Sequence, residues 1–384
     1  MKRLSILGAT GSIGTQCLDV IRQFPNQFDV VALSTHSNIA LLKEQIIEFK
    51  PQVACVTNPS KFQELHDWVK ETNSSIELLC GLDALSQIVQ IKQDLVVVSI
   101  VGTSGISATQ KAIQAGNNIA LANKEVLVSA GELIMNEAAK HNVSIIPIDS
   151  EHAAIQQCLI GNEHKQNEVH AITLTASGGP FRSLELSKFK DITLEQTLKH
   201  PNWEMGNKIT VDSATMVNKG LEIIEAKHLF GLSFDKIKAI IHPQSMIHGI
   251  VEFIDGNILA HISPTDMRFP IQYALFYPEK KQSPFERLNL FDCKQMTFET
   301  IDYKRFPLLK TAISCGEKGG SYPVVFNAAN EAAVHLFLNK RIHFMDIQKY
   351  IQIQLEKVSH TSHLSIEDII TLDKQIKEET LSLV

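Results

Sequence analysis

Several things that would have decided the function quickly are missing from this sequence. The six cysteines, at 17, 55, 80, 158, 293 and 315, are widely scattered and form no Cys-x-x-Cys pair. That spacing argues against both a zinc cage and a compact disulfide framework, and fits reduced thiols in a cytosol. No apolar run approaches the roughly 18 residues of a membrane span. There is no block of like charge: 36 Lys plus Arg stand against 42 Asp plus Glu, a net charge of −6. A nucleic-acid patch and a membrane-surface patch are therefore not expected, and anionic ligands must be held by local groups. The apolar pattern begins at Leu4, too close to Met1 for a signal peptide, so a cytoplasmic protein is expected. No internal repeat or low-complexity tract occurs.

What is present describes an ordinary globular chain, 44% hydrophobic and 20% charged. Its 384 residues exceed what one core usually serves, so two or three domains are expected. Leu4 to Leu7 reads as a buried strand that enters Gly8-Ala9-Thr10-Gly11-Ser12-Ile13-Gly14, followed by the helical pattern Cys17, Leu18, Val20, Ile21. A strand, a glycine turn and a helix in this order suit a pyrophosphate: one glycine makes the turn, one admits the anion to the backbone, and one lets helix and strand pack. The first helical amides then face the anion. The spacing is G-x-x-G-x-x-G rather than G-x-G-x-x-G, and an ordinary glycine-rich connection also fits it.

Asp29 to Leu33 forms the next strand and ends in Ser34-Thr35-His36-Ser37-Asn38. No acid stands there for a ribose 2′-hydroxyl; hydroxyls, an amide and an imidazole favour a 2′-phosphate, and so NADP over NAD. Further strands at Val53 to Thr57, Asp94 to Ile100, Asn118 to Ala122 and Val143 to Ile148 alternate with helices such as Ile39 to Phe49 and Ser107 to Ala115. Alternation of this kind gives a doubly wound parallel sheet whose ligands sit at the carboxyl ends of its strands. Gly102-Thr103-Ser104-Gly105, Asn123-Lys124-Glu125 and Asp149-Ser150-Glu151 should share that rim. Lys124 is either a partner for a phosphate, carboxylate or polarised carbonyl, or a solvated lysine at a helix start. Asp149 and Glu151, two apart on an extended backbone, would converge on one hard divalent cation, while a polar turn with two solvated acids is the alternative.

Beyond residue 152 the pattern changes. The strand Ala171 to Thr175 enters Ala176-Ser177-Gly178-Gly179-Pro180-Phe181, a turn of small residues that is either a phosphate cradle or a plain loop. Trp203, among loop formers between Thr193 and Gly206, is either a lid or an anchor. Glu222 and Glu225 share a helix face, where exposed glutamates are commonplace. Strands at Ala239 to Ile241, Ile247 to Phe253 and Ile258 to Ile262 suggest an antiparallel or mixed sheet, with Asp255-Gly256 as a hairpin turn. From about Asp302 the pattern is helical. The expected organisation is a Rossmann-like α/β domain over 1–150, an α+β catalytic and dimerisation domain over 151–276, a linker over 277–301 and an α-helical domain over 302–384.

The motifs already quoted, with Ala120-Leu121-Ala122-Asn123-Lys124-Glu125, Pro147 to His152, His200-Pro201-Asn202-Trp203, Val211 to Glu222 and Asn327-Ala328-Ala329-Asn330-Glu331, occur in an order that resembles the 1-deoxy-D-xylulose 5-phosphate reductoisomerases of non-mevalonate isoprenoid synthesis. The likeness runs over nearly the whole chain. It implies NADPH and a divalent metal, Mg²⁺, Mn²⁺ or Co²⁺, held by Asp149, Glu151 and Glu222, with Glu225 nearby. Catalysis would rest on these three acids and Lys124.

For a small phosphorylated sugar substrate the resemblance implies Ser150, Ser177, His200, Trp203, Ser213, Asn218 and Lys219, with His200, Trp203 and Met205 on a loop that closes over it. For the cofactor it implies Gly8, Thr10, Gly11, Ser12, Ile13, Ser37, Asn38, Asn123, Glu125 and Gly206. It implies a homodimer as well. The chain departs from the family pattern at Thr35-His36-Ser37-Asn38, where Ala-Gly-x-Asn is frequent, and at Glu204, where a small residue is frequent. A metal-independent NADP dehydrogenase of a phosphorylated aldehyde is the competing reading, and a nonenzymatic NADPH-binding sensor a third.

Overall fold

The computed structural model describes residues 1–72, 75–161, 166–203 and 205–384; Glu204 lies outside them. The chain divides into two compact units, one of Met1–Val126, Glu132–Ala153 and Asp266–Glu286, the other of Leu127–Gly131, Ala154–Thr265 and Arg287–Val384. Among the described residues no helix is long and apolar enough to cross a membrane.

Uninterrupted apolar runs build the first unit. Strands β1 (Lys2–Leu7), β2 (Phe28–Thr35), β3 (Val53–Val56), β4 (Glu77–Cys80), β5 (Leu95–Val98), β6 (Asn118–Leu121) and β7 (Ile145–Pro147) alternate with α1 (Ser12–Arg22), α2 (Ile39–Phe49), α3 (Phe62–Glu71), α4 (Asp83–Ile88), α5 (Gly105–Gln114) and α6 (Lys124–His141), and α7 (Ser150–Cys158) follows. All four residues of β3 and all four of β5 are buried, which requires cover on both faces and matches a parallel sheet. The sheet order is β4-β3-β2-β1-β5-β6-β7, with every pair parallel. The strand order reverses between β1 and β5, and a ligand crevice is expected at such a switch point. Strand β4 carries no sequence expectation; it is an edge strand with exposed ends, so it shows no apolar run.

In the second unit β8 (Val169–Ala176) leads through α8 (Leu194–Thr197), α9 (Asn207–Ala214) and α10 (Val217–Phe230) to β9 (Ile237–Ile241), β10 (Ile247–Phe253) and β11 (Ile258–Ile262). These strands form a mixed sheet, β11-β10-β8-β9, parallel only between β8 and β9. Gly256, at φ +83, makes the β10–β11 turn. Helix α11 (Arg268–Phe276) belongs to the first unit, where it packs on α1 and receives Lys2 Nζ at the Leu275 carbonyl, 2.9 Å away. Residues 266–286, which the sequence reading divides between catalytic domain and linker, thus count with the first unit. Helices α12 (Pro307–Lys318), α13 (Ser321–Leu338), α14 (Phe344–Lys357) and α15 (Ile366–Leu381) complete the second. Helix α13 is the central one, in contact with α9, α12, α14 and α15. The fold class is the expected one: a doubly wound parallel sheet, an α+β segment and C-terminal helices.

One expectation needs correction. Asp149 and Glu151 do not lie on an extended backbone, because helix α7 starts at Ser150. Asp149 stands before its first turn and accepts the amides of Glu151 at 3.1 Å and His152 at 3.4 Å, while Glu151 is helical. Unpaired amides of a helix start attract a carboxylate, and this local force overrides the alternation that a strand would impose.

Candidate active site

In the first unit the glycine turn does what its residue types require. Gly8 adopts φ +89, and a Cβ there would lie 2.8 Å from the Ser99 carbonyl oxygen; one on Gly14 would lie 2.3 Å from the Gly8 oxygen. Gly11 precedes α1 without a side-chain cap, and α1 has no acid in its first turn. The amides of this helix start therefore present uncompensated positive potential, as an anion site needs. Thr10 is tied to Thr35 by a 2.6 Å hydroxyl contact, and Gln45 Nε2 donates to the Ala9 carbonyl at 2.9 Å. Ser12 is exposed and Ile13 half-buried. After β2, Ser37 is exposed, while Asn38 caps α2 by accepting the Leu41 amide at 3.2 Å.

Asn123 is buried and caps α6; its side-chain amide also donates to the Ile100 and Gly102 carbonyls at 2.5 and 2.8 Å, fastening that loop. Lys124, next to it, is 7% exposed and reaches Asp149 Oδ2 at 2.9 Å. This is an ion pair rather than a solvated helix-start lysine. Glu125 is buried as well. Ser150 donates its hydroxyl to Glu151, and His152 Nδ1 stands 3.4 Å from Asp149 Oδ1. Lysine, carboxylates and imidazole therefore share the end of the sheet beyond β6 and β7.

The second unit gathers a different set. Gly178 and Gly179, at φ +83 and +66, fold the turn after β8, and a Cβ on Gly179 would come within 2.7 Å of the Ser213 carbonyl oxygen. The turn is thereby held against α9. Ser177 Oγ accepts the Gly179 amide at 3.1 Å and lies 3.0 Å from His200 Nε2. The tautomer follows from the other nitrogen: His200 Nδ1 accepts the amides of Asn202 at 3.2 Å and Trp203 at 3.0 Å, so the hydrogen sits on Nε2 and is donated to Ser177. Burial lowers the His200 pKa to about 4, in keeping with a neutral ring. With two donors already on its oxygen, Ser177 has its own hydroxyl hydrogen left for an acceptor such as a phosphate oxygen.

Trp203 is half-buried with its ring 6.2 Å from that of His248, and Asn202 Nδ2 donates to the Pro243 carbonyl at 2.7 Å and to Ser245 Oγ at 2.8 Å. Met205 is half-buried, and Gly206, exposed, stands at the start of α9. Ser213 is buried on α9. Thr215 and Met216, the latter at φ +60, turn the chain into α10. There Asn218 donates to Glu222 Oε1, and Lys219 pairs with Glu222 Oε2. Lys219 is 3% exposed, Glu222 and Glu225 1% each. These glutamates are thus interior rather than surface decoration, and an interior carboxylate needs a cation.

Two residues with evident roles carry no sequence signal of their own. His248 lies under Trp203, its pKa lowered to about 4 chiefly by burial, with the Lys219 charge adding to the effect against the opposing Ser263 and Pro264 backbone. Asp212, 1% exposed, is held by Lys208 Nζ at 2.9 Å and Asn330 Nδ2 at 2.8 Å. The Asn-Ala-Ala-Asn-Glu segment of α13 thereby fixes α9, the helix that carries Ser213.

A family model described as 1-deoxy-D-xylulose 5-phosphate reductoisomerase matches residues 4–131, one for the C-terminal domain of that enzyme matches 145–230, and another described as DXP reductoisomerase C-terminal domain matches 262–379. The chain is 46% identical over 99% of its length to the 1-deoxy-D-xylulose 5-phosphate reductoisomerase of Thermoanaerobacter pseudethanolicus, covering 98% of it, and 47% identical over 98% to that of Chloroherpeton thalassium, covering 97%. Among solved structures, the Zymomonas mobilis reductoisomerase in complex with NADPH superposes with a TM-score of 0.92 at 40% identity, and a DOX-P reductoisomerase in complex with NADPH, fosmidomycin and magnesium with 0.95 at 38%. Both comparisons cover 100% of this chain and 98% of the other. With likeness of this degree across both units and all of the motifs above, the chain belongs to the 1-deoxy-D-xylulose 5-phosphate reductoisomerase family.

Proposed function

We propose that this chain converts 1-deoxy-D-xylulose 5-phosphate to 2-C-methyl-D-erythritol 4-phosphate, rearranging the carbon skeleton and reducing the resulting aldehyde with NADPH in the presence of a divalent cation. Full-length identity of 46% to an enzyme of that name carries this reading. The residues suit both groups. For NADPH, the turn at Gly8 to Gly14 has no room for a Cβ and opens on an uncapped helix start. For Mg²⁺, the donors are carboxylates, hard oxygen ligands that an octahedral ion prefers, and each unit holds them beside a lysine that balances charge: Lys124 with Asp149, Lys219 with Glu222. Mn²⁺ suits the same oxygens.

When bound, the cation supplies Lewis acidity to the substrate oxygens and NADPH supplies hydride. Asp149, Glu151 and Glu222 would hold the cation. Ser177, Ser213, Asn218 and Lys219 would bind the phosphate, a remote group whose binding energy serves to orient the reacting carbons. The loop of His200, Trp203 and Met205 excludes water over the substrate. Lys124, a buried ammonium, holds a proton at Nζ beside Asp149, and Ser150 orients Glu151. Gly8, Thr10, Gly11, Ser12 and Ile13 take the pyrophosphate, Ser37 and Asn38 the adenosine side, and Asn123, Glu125 and Gly206 the nicotinamide side.

We infer a cytoplasmic homodimer, with β11 as its contact. That strand edges its sheet and leaves Ile258, Leu259 and Ile262 exposed, a surface that a second copy would cover. The test of function is NADPH oxidation with deoxyxylulose phosphate, with and without Mg²⁺ or Mn²⁺, followed by identification of the carbon skeleton formed. A branched methylerythritol product whose formation EDTA abolishes is expected; an unrearranged polyol formed equally well in EDTA would establish the simple dehydrogenase instead.

A further inference from the structure

Between Asp29 and Lys43 the first unit has a single ionisable side chain, His36. It follows directly on β2, roughly 20 residues past the glycine turn, where a dinucleotide fold meets the adenosine ribose. Its backbone is fixed from two sides. Toward the glycine turn, the Gly8 amide donates to Ser34 Oγ at 3.0 Å, the Ala9 amide donates to the Ser34 carbonyl at 2.7 Å, and the Thr10 and Thr35 hydroxyls lie 2.6 Å apart. The end of β2 is thereby fastened to the turn that takes the pyrophosphate. Toward β3, the Thr57 amide donates to the Thr35 carbonyl at 2.9 Å and the Asn58 amide to the His36 carbonyl at 3.0 Å. The ring is tethered as well, with Nδ1 2.9 Å from Thr57 Oγ1. Thr57 is 9% exposed while His36 is exposed, so the tether is anchored inside and the ring stands at the surface. Nε2, on the opposite side of the ring, has no hydrogen-bond partner among the described residues.

An exposed side chain ordinarily samples several rotamers, and a donor held in place avoids that ordering cost when a ligand arrives. The tether also sets the chemistry. A threonine hydroxyl that donates to Nδ1 leaves the ring hydrogen on Nε2, the outward nitrogen, so the ring presents a donor. Asn38, two residues on, already spends its side-chain oxygen on the Leu41 amide in capping α2. Resting on the reading that this unit binds NADPH, we propose that His36 is the residue by which the chain tells NADPH from NADH: its Nε2–H donates to an oxygen of the adenosine 2′-phosphate, and Thr57 positions the ring to do so. NADH offers a neutral hydroxyl at the same place, and a hydrogen bond to a charged acceptor is roughly twice as strong as one to a neutral acceptor. Glycine is frequent at this position in the family pattern, so this use of a side chain does not carry over from relatives.

Binding measurements on the full chain test this without turnover: fluorescence titration with NADPH and NADH, and calorimetry with adenosine 2′,5′-bisphosphate and adenosine 5′-monophosphate, which differ only in the 2′-phosphate. The parent should prefer the 2′-phosphorylated member of each pair about tenfold or more. His36→Ala should weaken NADPH and the bisphosphate about ten- to a hundredfold, while NADH and the monophosphate change less than about twofold. The unchanged pair reports that the variant is folded. Thr57→Val keeps the shape of the anchor but frees the ring, and should weaken NADPH alone by about two- to tenfold, the cost of ordering one side chain. A preference for NADPH that survives in His36→Ala, or NADH affinity that falls in step with NADPH, overturns the assignment of His36 while leaving the cofactor reading intact. A parent that binds both cofactors equally well overturns it too. A parent that binds no NADPH overturns the cofactor reading and the proposal with it.

Discussion

Lys219 offers the sharpest discrimination between a residue that grips substrate and one that merely fills the interior. It is 3% exposed and its ammonium pairs with Glu222, itself 1% exposed, so Lys219→Ala does two separable things. Removal of a charge-assisted contact to the substrate phosphate costs about 1.5–3 kcal/mol, a rise in KM of roughly ten- to a hundredfold. Loss of the lysine also takes the cation away from a buried carboxylate that keeps Asn218 as a donor, which costs about 3–5 kcal/mol of stability and lowers the unfolding midpoint on the order of 5–10 °C. NADPH is held through other residues in this reading, so its Kd should change less than twofold.

The assays are steady-state kinetics with deoxyxylulose phosphate, NADPH binding by fluorescence, and thermal unfolding with and without Mg²⁺. The third separates the two effects. In the variant the counter-charge of Glu222 is gone, so Mg²⁺ should raise the midpoint more than it does in the parent, without restoring KM. Equal losses of substrate and NADPH affinity would contradict the placement of Lys219, as would an unchanged KM in a variant that is merely less stable.

Three further outcomes follow from other parts of the chain. Gly14→Ala places a Cβ 2.3 Å from the Gly8 carbonyl oxygen and 2.6 Å from Ala9 Cα, backbone atoms that cannot move aside, so NADPH Kd should rise at least tenfold; an unchanged Kd by fluorescence titration would refute the cradle. Asn330→Ala deprives the buried Asp212 carboxylate of a donor at 2.8 Å, which should cost about 1–3 kcal/mol in denaturant unfolding and raise the substrate KM with little change in NADPH Kd; a KM equal to the parent's would show that α9 does not depend on this bond. His228 has its pKa lowered to about 4 by burial, with Lys227 adding to the effect, so between pH 6.5 and 4 the unfolded chain binds a proton there that the folded chain does not. Its contribution to stability is full above pH 6.5 and lost as pH falls toward 4. His228→Gln should therefore lose less of its unfolding midpoint between pH 7 and 5 than the parent does, and parallel curves would refute the assignment.

The parts of the fold that were legible in the sequence are those in which a local requirement dictates residue type. Helix α2 falls on Ile39 to Phe49 as its periodicity demands, and the turn at Gly8 to Gly14 reads correctly because steric exclusion there admits nothing but glycine at two positions. Illegible parts owe their structure to partners distant in sequence. Helix α10 is buried on nearly all sides from Val217 to Ala226, so its charged residues trace no exposed stripe, and the interior position of Glu222 and Glu225 cannot be read from spacing. The charge of Glu222 is tolerated because Lys219 lies one turn away, a pairing that looks on paper like any surface i,i+3 pair. For Asp149 and Glu151 spacing suggests the wrong backbone but the right outcome: their carboxylate oxygens lie within 4.8 Å of each other, brought there by the start of α7, whose amides hold Asp149, and not by an extended strand.

The Ser177–His200 contact shows how one half-buried ring can join two loops into a single device. The Asn202 and Trp203 amides need a lone pair on Nδ1, and the Ser177 oxygen needs a hydrogen on Nε2. A neutral ring in one tautomer alone satisfies both. Protonation would abolish the Nδ1 acceptor and release the two amides that hold the Trp203 loop in its turn, while the Ser177 contact could persist. Burial, which lowers the pKa to about 4, therefore does more than desolvate a histidine. It keeps the loop turn and the serine turn coupled throughout the neutral range, so an acceptor that engages the Ser177 hydroxyl meets a loop whose backbone is already set.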